Sequence, residues 1–300
     1  MKMMRSDNNF SSRSGARRMS DVPEIVLQKL AAGELETVNL MEWLATDMCE
    51  LARMVAQEFP HKSPLRSGLV AAAISMSGKG VTGRLRAAGQ AIARCAELGS
   101  PQFRTFAEHK SDVVRQWACY AVNDSSLSLP VRDRLEATLS FAADHNMSVR
   151  EAAWMAFRPH LAAEFESVLP LLTDLATHSN DNIRRFAVEV TRPRSVWGAH
   201  LAVLKRDPAK CAALLEGVKA DPSKYVKLAV GNWLNDASKT RPDWVISICR
   251  RWAADENRHT AFIVRRGLRT ITKQPRQGRS AQLQLVANDE GIIDGMERAS

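Results

Sequence analysis

Asp112-Val-Val-Arg115-Gln-Trp117-Ala is the phrase that decides how this chain folds, because it returns. It reappears as Met147-Ser-Val-Arg150-Glu-Ala-Ala, as Asp181-Asn-Ile-Arg184-Arg-Phe-Ala and as Lys224-Tyr-Val-Lys227-Leu-Ala-Val, with a looser copy at Phe262-Ile-Val-Arg265-Arg-Gly-Leu. Each copy has a β-branched residue, then a cation, then a small or apolar helical run. From cation to cation the intervals are 35, 34, 43 and 38 residues. A period of that length holds two helices, and stacked helix pairs make an all-α solenoid. Such a fold presents one long concave wall, so function is sought in the residues that face it.

Working outward, helix pairs are expected from about residue 84 to 273. Breaks are expected at Gly99-Ser-Pro101, Asn123-Asp-Ser-Ser, Asp144-His-Asn, Pro159, Asn180-Asp, Pro193, Asp207-Pro208, Asp221-Pro222 and Pro242. Upstream, a short helix around Leu27–Ala31 ends near Gly33. Thr37 is a candidate N-cap for one long helix to about Phe59, with Leu40, Leu44, Met48, Leu51 and Val55 on one face. A small-residue helix spans Leu69 to about Met76. The stretch Gly78-Lys-Gly80-Val-Thr-Gly83 matches G-x-G-x-x-G formally, but a dinucleotide site needs a strand before it and a βαβ unit around it. A flexible turn fits better, with backbone N–H groups at a helix start as the functional alternative. Residues 1–21 read as a disordered basic tail, 22–273 as the repeat domain and 274–300 as a polar C-terminal tail with one short helix near 281–286.

Composition sets the limits. The formal charge is +9, and no apolar run approaches the roughly 20 residues of a membrane helix. A basic array of this kind suits a polyanion, because each phosphate contact releases counterions; plain solubility is the alternative. The five cysteines, Cys49, Cys95, Cys119, Cys211 and Cys249, are scattered and contain no C-x-x-C pair. They read as reduced core thiols of a cytoplasmic protein, with no metal site and no cofactor expected.

The phrase starts the second helix of each pair, which in HEAT-type arrays lines the concave wall, while its cation supports the neighbouring repeat. Positions one and five after the cation share a face. They are Gln116 and Tyr120, Glu151 and Met155, Arg185 and Glu189, Leu228 and Asn232, Arg266 and Thr270, with Arg192 and Asp236 one turn on. Glu151, Glu189 and Asp236 therefore fall on roughly one wall. Arg185, Arg192, Arg194, Arg266 and Arg269 surround them, and Trp154, Trp197 and Trp233 lie at or beside the same face. Indoles stack on bases and attract cations, and carboxylates stabilise the oxocarbenium-like state of glycosidic cleavage. Each residue also has a plain structural reading: Arg185 with Glu189 as a surface pair, Trp154 and Trp233 as inter-helix core.

Four stretches carry a family resemblance: Thr37–Asp47, Val149–Trp154, Arg184–Trp197 and Tyr225–Lys239. With them the chain resembles the HEAT-like-repeat DNA glycosylases, the AlkD/AlkC superfamily, and its AlkC branch most. The resemblance runs from about residue 22 to 273. It implies excision of cationic alkylated bases such as 3-methyladenine from double-stranded DNA, by a monomer without a metal. By carry-over it implies Glu151, Glu189 and Asp236 as acidic active-site residues with Arg185 and Trp197 beside them. Trp233 and Arg266 come from the wall pattern alone. Some AlkC-type proteins add an immunoglobulin-like C-terminal domain, and none is expected in residues 274–300. The competing readings are a non-catalytic scaffold for DNA or a partner helix and an RNA-binding solenoid. The three acids argue against both, since each repels phosphate.

Overall fold

The computed structural model describes residue 10 and residues 13–273, and the expected 281–286 helix lies outside them. The described residues are helical, without strands, and no described helix is long and apolar enough to cross a membrane. The chain divides after His160 into two compact units. The first carries α1 (Glu24–Ala31), α2 (Leu40–Ala45), α3 (Met48–Ala56), α4 (Pro64–Ser75), α5 (Val81–Cys95), α6 (Pro101–Ala107), α7 (Asp112–Val122) and α8 (Val131–Ala142). Next comes α9 (Met147–Ala163), followed in the second unit by α10 (Phe165–Asp174), α11 (Asp181–Val190), α12 (Ala202–Arg206), α13 (Ala212–Val218), α14 (Lys224–Ser238), α15 (Pro242–Ala253) and α16 (Arg258–Thr272). All five copies of the recurring phrase open a helix, namely α7, α9, α11, α14 and, shortly after its start, α16.

The cation of the phrase is a strut, as the repeat reading expects. Arg115 donates to His109 O at 2.7 Å, Arg150 to Asp144 O at 2.7 Å and Arg184 to His178 O at 2.7 Å, so each guanidinium ties down the turn before its own helix. The same cations reach forward. Arg115 Nε lies 2.8 Å from Asp144, Arg184 Nε 2.6 Å from Asp221, and Lys227 Nζ 3.0 Å from His259 Nδ1. Asp144, Asp221 and His259 each stand six residues before the next cation. The repeat thus encodes its own joint: a donor in one copy and its acceptor in the next.

In the first unit, α7 departs from the groove-wall expectation. All eleven of its residues are buried, Gln116 and Tyr120 included. A Cβ on Gly89 of α5 would stand 2.6 Å from Tyr120 Cβ, so glycine lets the two helices approach closely. At the start of α7, Asp112 accepts from Thr37 N (2.9 Å), Thr37 Oγ1 (2.6 Å) and Ser148 Oγ. Gln116 continues this network, accepting from Trp43 Nε1 and donating to Ser148 Oγ, both at 2.9 Å.

Four further expectations change. The long helix from Thr37 to Phe59 is two helices, because Asp47 caps α3 by accepting from Cys49 N and Glu50 N. Asn39, not Thr37, caps α2; Thr37 is spent on Asp112 instead. The small-residue helix starts earlier, at Pro64, with Ser63 as its cap. Pro159 does not break the chain but sits inside α9, whose pattern resumes for another turn. At the glycine-rich stretch, Gly78 turns the chain with φ +72° and Gly80 precedes α5, which matches the turn reading. Within the stretch 1–21 expected as a basic tail, the described residues make contacts to the body. Arg13 is clamped by the buried Glu42 at 2.7 Å, and Asn39 Nδ2 donates to Ala16 O at 2.8 Å, so residues 13–16 are fastened to the body. Arg13 is therefore engaged by a carboxylate.

Three of the cysteines are buried. Burial pushes the Cys211 and Cys249 thiols up to about 12, which keeps them protonated and inert.

Candidate active site

The second unit brings four predicted residues into one cluster. Ile183, Phe186 and Val190 turn one face of α11 into the core, and Glu189 lies at its last turn, 4% exposed. Asp236 lies on α14 between Asn235 and Ala237 and is equally buried at 4%. Two acids buried to that degree need compensation, since an uncompensated buried charge is costly. Arg192 supplies it. Its Nη1 donates to Glu189 Oε2 at 3.1 Å, while its Nε and Nη2 donate to Asp236 Oδ2 at 2.9 and 2.7 Å. Burial alone would pull the Arg192 guanidinium down; Glu189 and Asp236 more than offset it and hold it above its ordinary value.

Outer cations brace the pair. Arg185 Nη2 lies 3.5 Å from Glu189 Oε1, and its guanidinium stacks 4.1 Å from the Tyr225 ring. Lys239 Nζ donates to Asp236 Oδ1 at 3.2 Å. The sequence reading missed both Tyr225 and Lys239, although each stands in a stretch that carries the resemblance. Lys239 was visible as the residue three after Asp236, on the same helix face.

The basic rim comes from α16. Arg266 Nε donates to Asn232 Oδ1 at 3.0 Å, and Arg269 Nη1 donates to Arg266 O at 3.1 Å. Arg269 is held below its ordinary value by burial and then by Arg266, with Arg192 adding to the repulsion. Close approach of α14 and α16 makes this possible. A Cβ on Gly231 would meet Arg266 Cβ at 2.8 Å, and one on Gly267 would meet Leu234 Cβ at 2.9 Å. These reciprocal glycine notches seat Arg266 against α14.

The loop after α11 is closed on itself by Leu201 N donating to Pro193 O at 3.1 Å. Ser195 Oγ shapes its tip by accepting from Trp197 N (3.2 Å) and Gly198 N (3.1 Å). Trp197 is half-buried there, next to Val196, which is 88% exposed. Arg194 Nε is buried on the same loop without a hydrogen-bond partner.

Residues 115–271 match the family described as DNA alkylation repair enzyme, which is more than half of the chain. The chain belongs to the DNA alkylation repair enzyme family. Its structure is similar to Pseudomonas fluorescens alkylpurine DNA glycosylase AlkC bound to DNA containing an abasic site analog, with TM-score 0.61 and 25% identity over 87% of this chain and 66% of that one. It is also similar to AlkD2 from Streptococcus mutans, with TM-score 0.51 and 20% identity over 74% of this chain and 97% of that one. The Bacillus subtilis (strain 168) protein YhaZ is 36% identical over 119 residues, 40% of this chain. This chain spans 33% of the length of YhaZ and 66% of the AlkC chain.

Among the residues singled out from the wall pattern, two tryptophans take their plain structural reading. Trp233 is fully buried and donates from Nε1 to Thr191 O and Oγ1, both at 3.1 Å, so it is core and does not line a wall. Trp233 stands three residues before Asp236, a spacing that shares a helix face, so its contacts and not the register assign it to the core. Trp154 is 5% exposed, and its Nε1 donates to Glu151 Oε2 at 2.8 Å within the first unit. It orients that carboxylate and has little surface left for a base.

Proposed function

We propose that this chain is a DNA glycosylase that releases cationic alkylated bases from double-stranded DNA, acting as a monomer. The observation that carries the reading is the pair Glu189 and Asp236, two buried carboxylates whose oxygens converge on one cation within a basic helical repeat.

The chemistry follows from the charge on the substrate. Alkylation at a ring nitrogen gives the base a fixed positive charge. When the C1′–N bond breaks, its electron pair returns to the base, which leaves neutral, so no proton need be delivered to it. The positive charge moves to the deoxyribose as an oxocarbenium-like cation. Fixed carboxylates stabilise that charge in a site where water is scarce. A water then adds at C1′ and gives up a proton, which a carboxylate accepts, leaving an abasic site. Trp197 is assigned to the sugar beside the lesion. Arg194, Arg266 and Arg269 are assigned to phosphates, with Arg185 bracing Glu189. An anion near Arg269 would relieve the repulsion that now lowers it, and phosphate contacts of this kind add affinity without sequence preference. The AlkC structure that this chain resembles holds an abasic site analog, the product state of such a reaction. Glu151 is the third assigned acid, and its share is read from Glu151→Gln.

The test is base release from methylated duplex DNA, identified by mass. Wild type releases 3-methyladenine, and Glu189→Gln and Asp236→Asn slow release while DNA binding persists. Absence of release by the wild type on every cationic lesion tried, with DNA binding intact, turns the reading to a scaffold.

A further inference from the structure

The four carboxylate oxygens of Glu189 and Asp236 are not used alike. Glu189 Oε1 and Asp236 Oδ1 face outward, to Arg185 at 3.5 Å and Lys239 at 3.2 Å. Glu189 Oε2 and Asp236 Oδ2 face each other across the Arg192 guanidinium, at 3.1 Å and 2.7 Å from its nearest nitrogens. Two oxygens thus each have a cation of their own, and two converge on a third cation. That third cation has a way out to solvent: the Arg192 side chain is 25% exposed, against 5% and 6% for the two acids, and only Lys239, which meets Asp236 alone, is more exposed at 39%. Arg192 also stands outside α11, one residue past its C-cap Thr191. Its side chain can leave the pair without unwinding the helix that holds Glu189.

We propose that Arg192 is a resident stand-in for the cation this site receives, and that an entering cationic lesion displaces it. The proposal rests on the glycosylase reading above and adds a source of selectivity to it. In the free protein Arg192 keeps two buried acids compensated. A cationic nucleotide takes its place charge for charge, so Glu189 Oε2 and Asp236 Oδ2 turn onto the sugar ring while their outer oxygens remain held. A neutral base offers no such exchange. Displacing Arg192 for it leaves two inner oxygens facing each other without a cation, and uncompensated buried charge is what proteins avoid most strongly. The displaced guanidinium gains a phosphate of the same strand, for which its planar fork is well matched. A neutral base therefore leaves Arg192 in place, and discrimination between damaged and normal nucleotides rests on the two acids, for which Arg192 competes with the entering cation.

Two duplexes test this, one with a cationic pyrrolidine in place of the target deoxyribose and one with the neutral tetrahydrofuran. Dissociation constants are measured for wild type, Arg192→Gln and Arg192→Lys, with folding checked by circular dichroism. Wild type binds the cationic duplex more tightly. In Arg192→Gln that preference widens by about tenfold, the equivalent of roughly 1.4 kcal/mol, because nothing has to be displaced. Arg192→Lys keeps a preference near that of wild type. A fixed strut gives the opposite result: the preference narrows or stays the same in Arg192→Gln, and either outcome overturns the exchange while leaving the glycosylase reading intact. Equal binding of both duplexes by wild type removes the carboxylate mechanism and the exchange with it. If Arg192→Gln does not fold, arginine Nε–H resonances of the wild type decide. The Arg192 signal moves on the cationic duplex and not on the neutral one, and an identical response to both overturns the proposal.

Discussion

Asp112 in the first unit and the Glu189–Asp236 pair in the second are all buried, yet they are compensated in opposite ways. Asp112 is met by hydroxyls and a backbone N–H: Thr37 Oγ1, Ser148 Oγ and Thr37 N. Burial raises its carboxyl above the ordinary value, and those neutral donors only partly pull it back. Glu189 and Asp236 are met by Arg185, Arg192 and Lys239. Neutral donors fix a carboxylate in place and satisfy its lone pairs, which is what a joint between helices needs. Cations leave a site whose charge can be redistributed when another cation arrives. Burial alone therefore does not separate the acids proposed to react from one that joins helices; the nature of their partners does.

The largest expected effect tests the reactive half of that contrast. Glu189→Gln or Asp236→Asn keeps shape and hydrogen-bond reach but removes the charge, and should slow base release by about 100-fold, within the range for losing one charge-stabilising group. The measurement is single-turnover release with binding followed separately. The joint half gives the reverse pattern. Asp112→Ala leaves Thr37 N–H and two hydroxyls without their acceptor and should lower stability by about 2–3 kcal/mol, with release per folded molecule unchanged. Thermal or urea unfolding reads the first and active-site titration the second. A rate loss in Asp112→Ala beyond its folded fraction would erase the contrast.

Asp112 also has a pH signature. Its folded carboxyl keeps a proton to higher pH than the unfolded one, so the folded state binds more protons in that window and stability falls as pH rises. Its contribution is whole below the unfolded value near 4 and is lost as pH climbs through the folded value. Melting temperatures of wild type and Asp112→Asn compared upward from about pH 4 should show wild type losing ground to the variant. A constant difference across pH would mean that Asp112 does not titrate differently in the two states.

These two settings were not equally legible in the sequence. Glu189, Arg192 and Asp236 were legible because they fall at helical spacings after a repeated cation, and the repeat fixes which residues share a face. The forward joints, Arg115 to Asp144 and Arg184 to Asp221, follow from the same register. The Asp112 network was not legible. It joins Thr37, Trp43, Gln116 and Ser148 across gaps of 32 to 75 residues, and such distances leave no period to read. The same blindness produced the error at Thr37, a good N-cap by type whose hydroxyl was already committed to Asp112. Trp154 and Trp233 were misplaced for a third reason: an indole serves core and wall equally well by composition, and only contacts separate the two.

Gly231→Ala probes how the rim of the reactive site is seated. The added Cβ would stand 2.8 Å from Arg266 Cβ, so α16 must shift away from α14. Overpacking of this kind should lower stability by about 1–3 kcal/mol and weaken DNA binding through Arg266 and Arg269, with a smaller effect on the release step itself. The readouts are an unfolding midpoint and a salt titration of binding. Unchanged values in both would show that the helices have more room than the glycine contact implies.

The smallest expected effect separates wall from core at Trp233. The ring is fully buried, 6.0 Å from Trp244, and its one polar atom is committed to Thr191. Trp233→Phe keeps an aromatic ring in the cavity and removes that donor, leaving Thr191 O without its partner. The stability loss should be about 1 kcal/mol, the net worth of one hydrogen bond, and base release should stay within about twofold of wild type. A residue packed on the lesion would behave the other way round, with release falling far more than stability, because a base loses its stacking surface while the fold loses almost nothing. Trp197→Phe, made in parallel on the exposed loop, supplies the contrasting behaviour. The pair of variants therefore reads which indole faces the DNA without reference to any other substitution.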